Sequence, residues 1–524
     1  MYSVDEITEP FWAEYSSEAS GRDPLAIQNS SVVIYTKMVV GITNVTNRIR
    51  YNGFYCWLLD AILKSITKTN SLVEQIRYIR RAELLLAYIM VKKFSDTTGV
   101  SGSDYAKKNI QSQISLKDGA DWDSKIEGGP SLYWKFKFGI FGQYYSGVVR
   151  ELKLIMHPQG DLKIYTLTST GTELADAFGK NIPDEERKLF WNCVYKGEVT
   201  ENELSDLTSF ALHTIPVNTE EQLFYEQMLL KEDDNKLEPS FHRRNTIKLI
   251  LSFLNKEIDG VENLPAAFLH HNYNAHFSLS NLQYETSTAW YLFEINELVH
   301  LAFEHFHVCF LYTIEKYPTR MEDCLERLLN EVSNEFTNLG IDADTFTLVN
   351  LSGNIAKDNM DVYTYYNAME LAYKQKNYSS SLLHAILTLL SCLNNCKAHL
   401  SQLQEFASLP ENNFNRNGYA IEIFEDLILS KWQLTIKEYA KDILLQAINR
   451  HTFSSYTKTK IGQSLVNNYM IEDDNVWRLR AIQPNRTTPR LQNVVQYLTD
   501  IGWMKRDNKK VQITDLGIQT LSNL

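Results

Sequence analysis

Two stretches of the chain carry histidine, cysteine and glutamate at spacings that could hold a metal ion. The six residues are His300, Glu304 and His307 in one stretch and Cys392, Cys396 and His399 in the other. Positions i, i+4 and i+7 share one face of an α-helix, and thiolates and imidazoles are the ligands that zinc prefers. The same spacing is also that of a packing stripe, in which free cysteine behaves as a small hydrophobic residue. We therefore predict no metal site and no cofactor.

Sequence motifs of the common phosphate-binding and hydrolytic sites are absent from the chain. It contains no GxxxxGK[ST], GxGxxG, HExxH or GxSxG. Asn395 and His399 resemble the motif of RNA-cleaving helical domains, but those domains have an arginine where this chain has Asn394. We expect a non-enzymatic protein. The alternative is a nuclease or RNase effector whose site lies in the helical middle of the chain.

The C-terminal region is basic, although the chain as a whole is acidic. The formal net charge is −12, yet residues 478–510 hold eight Arg and Lys against two Asp, a net charge of +6. Such a basic island indicates a face that binds phosphate. The predicted nucleic-acid-binding residues are Arg478, Arg480, Arg486, Arg490, Lys505, Arg506, Lys509 and Lys510. The alternatives are a surface that docks on an acidic partner and an ordinary solvated face.

A second group of candidate residues lies near the N-terminus, in the first turns of a helix predicted to run to about residue 66. The four residues are Arg48, Arg50, Tyr51 and Tyr55. Cations near a helix N-terminus oppose the helix dipole, so their placement predicts a site for an anion or a partner. The alternative is that acidic residues of the same domain, such as Asp60 or Glu83, hold the two arginines.

The sequence around the basic island recurs earlier in the chain. A gapless shift of 346 residues aligns residues 148–175 with residues 494–521 and gives eight identities in 28 positions. Both segments end in a hydrophobic residue followed by Thr-x-x-Gly. The repetition predicts two copies of one structural module.

The later copy predicts a definite order of elements. Apolar residues at three- and four-residue steps predict a helix that starts near Thr488 and ends at Gly502. Two short strands follow around the turn-forming Asp507-Asn508 pair. Thr514 is the predicted N-cap of a last helix, and Gly517 would let that helix pack closely on its neighbour.

The order helix, strand, turn, strand, helix resembles the C-terminal half of a winged-helix module, with a recognition helix followed by a wing. At the C-terminus, helices at 436–451 and 460–470 would precede it, and 80–94 would open the first copy. The resemblance implies that Arg486 and Arg490 flank a recognition helix, while the wing cations contact phosphate. Because the first copy is nearly neutral and preceded by aromatic residues, we expect it to be structural or dimerising.

Length and composition indicate a folded protein of several domains. With 524 residues and 44% hydrophobic content, we expect two to four domains. We predict a mainly α fold, a helical bundle flanked by two winged-helix (α+β) modules. The predicted domains are an N-terminal helical and winged-helix module at 1–195, an all-helical middle domain at 196–433, and a C-terminal winged-helix domain at 434–524. Dispersed cysteines and the lack of a long apolar run predict a soluble cytoplasmic protein without membrane contact.

Two resemblances imply a function. Winged helices around a helical span resemble the layout of bacterial kleisin-type subunits, and "GITNVTNRIRYNGFYCWLLDAILKSI" (41–66) resembles the start of bacterial proteins from phage-defence gene clusters. They imply a non-enzymatic DNA-binding and scaffolding subunit of a multi-protein bacterial complex, with a role in antiviral defence. The implied partners are duplex DNA, bound by the C-terminal module, and proteins such as an SMC-like or other ATPase, in an oligomer. A ligand-responsive winged-helix transcription regulator is the alternative.

Overall fold

The structure, a computed structural model, describes residues 23–65, 71–94, 97–122, 132–156, 164–231, 239–278, 284–316, 319–358, 360–415, 419–458 and 467–524. These residues are mainly helical, as predicted. The helices are α1 Asn29–Met38, α2 Arg50–Ser65, α3 Leu72–Lys93, α4 Ser103–Asn109, α5 Leu116–Ala120, α6 Ser146–Glu151, α7 Ser169–Lys180, α8 Asp184–Lys196, α9 Glu201–Ser205, α10 Glu220–Leu230, α11 Pro239–Leu254, α12 Leu264–Ala275, α13 Tyr284–Lys316, α14 Met321–Asn338, α15 Leu348–Asp358, α16 Val362–Lys374, α17 Tyr378–Cys396, α18 Leu400–Ser408, α19 Ala420–Leu427, α20 Ile436–Lys458, α21 Leu491–Asp500 and α22 Asp515–Ser522. The strands are β1 Gln113–Ser115, β2 Ile155–Met156, β3 Thr166–Leu167, β4 Glu198–Thr200, β5 Val261–Glu262, β6 Tyr469–Glu472, β7 Asn475–Arg478, β8 Met504–Asp507 and β9 Lys510–Ile513.

The chain forms two compact units that each combine distant parts of the sequence. Unit 1 comprises residues 1–35 and 272–487, and unit 2 comprises residues 36–271 and 488–524. Neither the predicted boundary after residue 195 nor the one after residue 433 coincides with a unit boundary. The predicted C-terminal domain is divided, because α20 and the β6–β7 hairpin belong to unit 1, whereas α21 and the elements after it belong to unit 2.

Unit 1 is a helical bundle whose central element is α13. Every residue from Thr286 to Leu311 is buried, as expected of a helix that is covered on all sides. Helices α17 and α20 pack against it. Helix α17 ends at Cys396, and a 3-10 turn, Lys397–His399, leads into α18.

The β6–β7 hairpin of unit 1 replaces the end of a predicted helix. Residues 459–466 lie outside the described residues, and Tyr469 and Met470 are in β6 instead of a helix over 460–470. Asp473 and Asp474 both adopt positive φ, 49° and 64°. Two central residues with positive φ form the hairpin turn that matches the twist of antiparallel strands. The local turn therefore prevails over the helical pattern that precedes it.

Unit 2 combines helices with short antiparallel strands. Aromatic side chains of α2, α7 and α8 form part of its core, among them Trp57, Phe178 and Phe190. Strand β9 is the middle strand of a three-stranded sheet of order β5-β9-β8, in which it pairs with both neighbours. Strands β2 and β3 form a separate pair.

Unit 2 contains both copies of the repeated sequence, and their backbones correspond closely. Leu154 N–H donates to the Val149 carbonyl at 2.8 Å, and Trp503 N–H donates to the Leu498 carbonyl at 2.9 Å. The residue before each donor, Lys153 or Gly502, has a positive φ, 59° or 84°. Each helix therefore ends in the same left-handed turn and leads directly into a strand.

The structural correspondence is not the gapless one. Leu154 corresponds to Trp503, 349 positions later, whereas Thr168 corresponds to Thr514, 346 positions later. The stretch from Leu154 to Thr168 is therefore three residues longer than the stretch from Trp503 to Thr514. The identities that the gapless shift aligns across the two helices therefore do not mark equivalent positions. Apolar residues still align there because a three-residue shift along a helix leaves side chains on nearly the same face.

Candidate nucleic-acid interface

Helix α21 is positioned as the predicted recognition helix but is largely enclosed. Seven of its ten residues are buried, and of the others only Gln492 is exposed. Its N-cap is Arg490, in the left-handed conformation with φ 59°, so the helix begins after the Thr-Pro start signal. Asn493 donates from its side chain to the Thr46 carbonyl at 3.2 Å. The residues of α21 that are not buried are Gln492, Gln496 and Thr499, which share one face of the helix.

The β8–β9 hairpin carries exposed cations. Met504 pairs with Ile513 and Asp507 with Lys510, and Asn508 adopts a left-handed φ of 55° in the turn, which asparagine tolerates. All six residues from Lys505 to Lys510 are exposed. The four cations of this exposed segment are Lys505, Arg506, Lys509 and Lys510. In the two strands, the buried residues are Met504 of β8 and Val511 of β9.

The other four predicted cations lie outside the hairpin and are half-buried: Arg478, Arg480, Arg486 and Arg490. In unit 1, the Arg478 guanidinium pairs with Glu315 and lies 5.0 Å from the centre of the Tyr312 ring. In unit 2, Arg490 donates to the Ile42 carbonyl at 2.9 Å. These contacts give Arg478 and Arg490 structural partners within their own units.

Arg486 belongs to a polar network on α13, within unit 1. Its guanidinium donates to both carboxylate oxygens of Glu294. On either side of it, Asn485 N–H donates to Glu304 and Thr487 N–H donates to Glu297, both at 2.7 Å. Three glutamates of one helix therefore hold three consecutive residues of an extended segment. This anchoring gives the Arg486 guanidinium an internal partner on α13.

His300 lies among the same glutamates. Burial alone would lower the pKa of His300, but hydrogen bonds to Glu297 and Glu304 raise it to about 10. The imidazole is therefore a cation at neutral pH, and its Nε2 lies 3.1 Å from a carboxylate oxygen of Glu304. Its Nδ1 lies 3.9 Å from a carboxylate oxygen of Glu297, so this histidine is part of the charge network.

The side chains of the second candidate site, near the N-terminus, are buried. Arg50 donates to the two carboxylate oxygens of Glu221 at 2.9 and 3.1 Å and to two backbone carbonyls. Arg48 donates to Asp500 Oδ1 at 2.8 Å. Acidic residues of the same unit thus hold both arginines, as the alternative interpretation requires, although they are neither Asp60 nor Glu83. The arrangement leaves the two guanidinium groups occupied by internal partners.

The two tyrosines of this group are buried as well. The Tyr55 hydroxyl donates to Glu83 at 3.1 Å, and the Tyr51 ring stacks on the Tyr55 ring with 5.7 Å between centroids. Helix α2 begins at Arg50. The cations that oppose its dipole are therefore neutralised by fixed carboxylates of the core.

Asp500 carries a buried carboxyl group that the sequence did not single out. Burial raises its pKa from 3.8 to about 6, although Arg48 and a hydrogen bond from Gln496 lower it. Sequence spacing places Asp500 at the end of an amphipathic helix but gives no sign of Arg48, which is 452 positions away. In the sequence Asp500 counts only as one acid against the basic island.

The cysteines of the possible zinc site are ordinary core thiols. Cys392 and Cys396 are buried, and burial raises the pKa of Cys396 to about 12. His399 lies beyond the end of α17, so it does not continue the face formed by the two cysteines. Asn395, from the RNase-like spacing, donates to the Tyr273 hydroxyl at 3.2 Å. Within the described ranges, no group of three or more His, Cys, Asp or Glu is placed to hold a metal ion.

Comparisons with known proteins found no counterpart for this arrangement. The chain matches no protein-family model, no curated protein and no solved structure. Among the described helices, none has both the length and the apolar composition that crossing a bilayer requires.

Proposed function

We propose that the protein binds nucleic acid through the β8–β9 hairpin and acts as a non-enzymatic scaffolding subunit of a multi-protein complex. One observation carries the proposal: four of six consecutive exposed residues, Lys505 to Lys510, are cations, in a chain of net charge −12. Elsewhere the acidic surface repels polyanions, so a phosphate backbone would be attracted to the hairpin.

The proposed contact is with phosphate and not with base edges. Sequence readout needs an element that enters a groove, and α21 is largely buried. Lysine ammonium groups on a hairpin instead suit phosphate oxygens, which carry no sequence information. Binding should therefore be independent of sequence and strongly dependent on salt. This expectation separates the proposal from an operator-specific transcription regulator.

The scaffolding part of the proposal concerns protein partners. The layout that resembles kleisin-type subunits supports an ATPase partner, and the resemblance of residues 41–66 to phage-defence proteins supports a role in antiviral defence. Exposed aromatic side chains on α20, Phe453 and Tyr456, offer apolar contact area in unit 1. Co-expression with the products of neighbouring genes, followed by size-exclusion chromatography, tests for such a complex.

The nucleic-acid proposal is tested by titrating random-sequence duplex DNA across about 50 to 200 mM salt. The test variant carries Lys505→Gln, Lys509→Gln and Lys510→Gln. Loss of three phosphate contacts should reduce the slope of log K against log salt by about 3. At a fixed intermediate salt concentration the affinity should fall about tenfold, since exposed charge contacts contribute roughly 0.2–1 kcal/mol each.

The matched control removes three exposed cations of unit 2 that precede or belong to the first copy: Lys135→Gln, Lys137→Gln and Arg150→Gln. It has the same net charge as the test variant but keeps the hairpin cations. It should therefore leave the slope of log K against log salt within about 0.5 of the wild-type value. Equal losses in both variants would assign binding to overall charge and contradict the hairpin site. Cleavage of the duplex in the presence of Mg²⁺, Mn²⁺ or Zn²⁺ would contradict the non-enzymatic part.

A further inference from the structure

Unit 1 has an open groove of about 570 Å³ that is lined by α19 and α20, and we call it the α19–α20 groove. Ile423 and Leu427 of α19 form part of its apolar lining, and both are buried. Phe453 of α20 also lines it and is 69% exposed. A volume of this size suits a small organic ligand, and the exposed ring offers it an apolar contact.

The α19 wall of the groove is acidic. Glu422 and Asp426 line it, and both side chains are exposed. They are four residues apart, so they lie one turn apart on the same face of α19. A positively charged group in the groove would therefore meet two carboxylates along this wall.

The α20 wall of the groove carries hydrogen-bonding side chains beside Phe453. Gln446, Asn449 and Arg450 line it, and Arg450 is half-buried. Burial lowers the pKa of Arg450, and the charge of Asp426 opposes that shift. The Arg450 guanidinium lies 5.9 Å from the centre of the Phe303 ring. This face of α20 therefore presents a partly desolvated cation to the groove.

Arg450 lacks a hydrogen-bond acceptor among the described residues. Among the described residues, its guanidinium makes neither a hydrogen bond nor an ion pair within 4.0 Å, whereas Arg478 and Arg486 each pair with a glutamate. A guanidinium has five N–H donors in a planar fork that fits a carboxylate. A guanidinium that lines a groove and has no acceptor is therefore suited to bind a carboxylate of a ligand.

We infer that the α19–α20 groove binds a short zwitterionic peptide. Its carboxylate lies against Arg450 and Asn449, its ammonium group lies near Glu422 and Asp426, and an apolar side chain packs on Phe453. A simple anion would be repelled by the two carboxylates of α19, and a simple cation would leave Arg450 unfilled. A zwitterion satisfies both walls, and the volume of the groove accommodates about two or three residues.

The test uses the tripeptide Leu-Ala-Leu, its N-acetylated form and its C-terminal amide, titrated into the full chain by isothermal calorimetry. Each blocked form lacks one charge and should bind at least about tenfold more weakly than the free tripeptide, since a hydrogen-bonded charge contributes about 1.5–3 kcal/mol. Equal binding of the three peptides overturns the inference, as does no binding of the free tripeptide at about 10 mM.

Variants assign each charge to its wall. Arg450→Gln should abolish the preference for the free carboxylate over the amide, and Asp426→Asn should weaken the preference for the free amine over the acetylated form. Arg450→Lys keeps a charge without the fork and should give an intermediate preference, which provides a second readout if the glutamine variant fails to fold. Lys441→Gln, an exposed cation on the same helix, is the control and should bind like wild type. A full preference retained by Arg450→Gln would overturn the assignment.

Discussion

The segments around Thr168 and Thr514 are built in the same way and differ in what they expose. In each, the threonine hydroxyl accepts a hydrogen bond from the N–H of a glycine three residues later, at 3.0 Å for Gly171 and 3.2 Å for Gly517. In each, that glycine lies against the backbone carbonyl oxygen of the residue just before the first strand, Leu154 or Trp503. A β-carbon would approach that oxygen to 2.0 Å at Gly171 and to 2.3 Å at Gly517.

The two segments differ at positions that the shared backbone does not constrain. Glu151 and Asp500 are equivalent, 349 positions apart, yet Glu151 is exposed and Asp500 is buried against Arg48. The later segment carries the exposed cations Lys505, Arg506, Lys509 and Lys510. Comparison of the two segments shows that a glycine contact and a threonine cap fix the geometry, while the remaining side chains determine the chemistry.

The largest expected effect tests the shared geometry. Gly171→Ala and Gly517→Ala should each lower the free energy of unfolding by about 2–3 kcal/mol, because the added methyl group overlaps a backbone oxygen that cannot move alone. Thermal and urea unfolding of the purified variants measure this loss. Gly147→Ala in α6 is the control, since no atom lies within 4 Å of its added β-carbon. It should be neutral or slightly stabilising, and a loss as large as that of the other two would refute the explanation.

A slightly smaller effect tests the difference between the two acids. Burial raises the pKa of Asp500 from 3.8 to about 6, although Arg48 lowers it. The folded protein therefore holds this proton more tightly than the unfolded chain, and the resulting stabilisation is full below about pH 4 and lost as the pH rises through about 6. The unfolding free energy of wild type minus that of Asp500→Asn should fall by about 2 kcal/mol from pH 4.5 to pH 7.

The control for that pH dependence is Glu151→Gln, at the equivalent exposed position. Its difference from wild type should stay within about 0.5 kcal/mol over the same pH range. Urea unfolding at several pH values measures both differences. A pH-independent difference for Asp500→Asn would mean that burial of this carboxyl group does not raise its pKa.

The threonine caps should give equal, moderate losses. Thr168→Ala and Thr514→Ala each remove the acceptor for a glycine N–H, and each should lower the free energy of unfolding by about 1 kcal/mol. Thr520→Ala removes only a hydroxyl that donates to the Leu516 carbonyl within α22, so it should change stability by less than about 0.5 kcal/mol. Unequal losses for the two caps would show that the repeated motif does not have the same structural role in both segments.

The smallest expected effect concerns the charge that separates the segments. Glu262 of β5 pairs directly with Lys510 of β9, so it offsets part of the positive charge of the hairpin. Glu262→Gln should raise the affinity for duplex DNA about twofold, in line with a contribution of roughly 0.5 kcal/mol from an exposed charge. Glu173→Gln, exposed on α7, should leave the affinity unchanged. Lower affinity in Glu262→Gln would contradict phosphate binding at this hairpin.

Elements defined by neighbouring residues could be predicted from the sequence. The strands at 504–507 and 510–513 and the Thr514 cap follow from turn and capping residues within a few positions. The long helix α13 follows from its apolar spacing. The prediction was wrong for Tyr469 and Met470, where two aspartates with positive φ produce a hairpin turn.

The candidate site could be predicted only in part. The exposed hairpin cations were found from charge alone, because a short strand pair leaves most of its side chains in solvent. For the arginines outside the hairpin, charge counting gives no sign of their internal partners. Arg486 meets Glu294 from a position 192 residues away, and Arg50 meets Glu221 from 171 residues away.

By itself, the sequence determined the mainly helical fold, the repeated helix–hairpin–helix order and the concentration of cations near the C-terminus. The tertiary structure alone decided that α21 is enclosed, that Asp500 pairs with Arg48, and that the C-terminal residues belong to two different units. The physical reason is the distance along the chain over which each interaction acts. Propensity, capping and turn geometry act within a few residues, whereas burial and ion pairing depend on which distant segments the folded chain brings into contact.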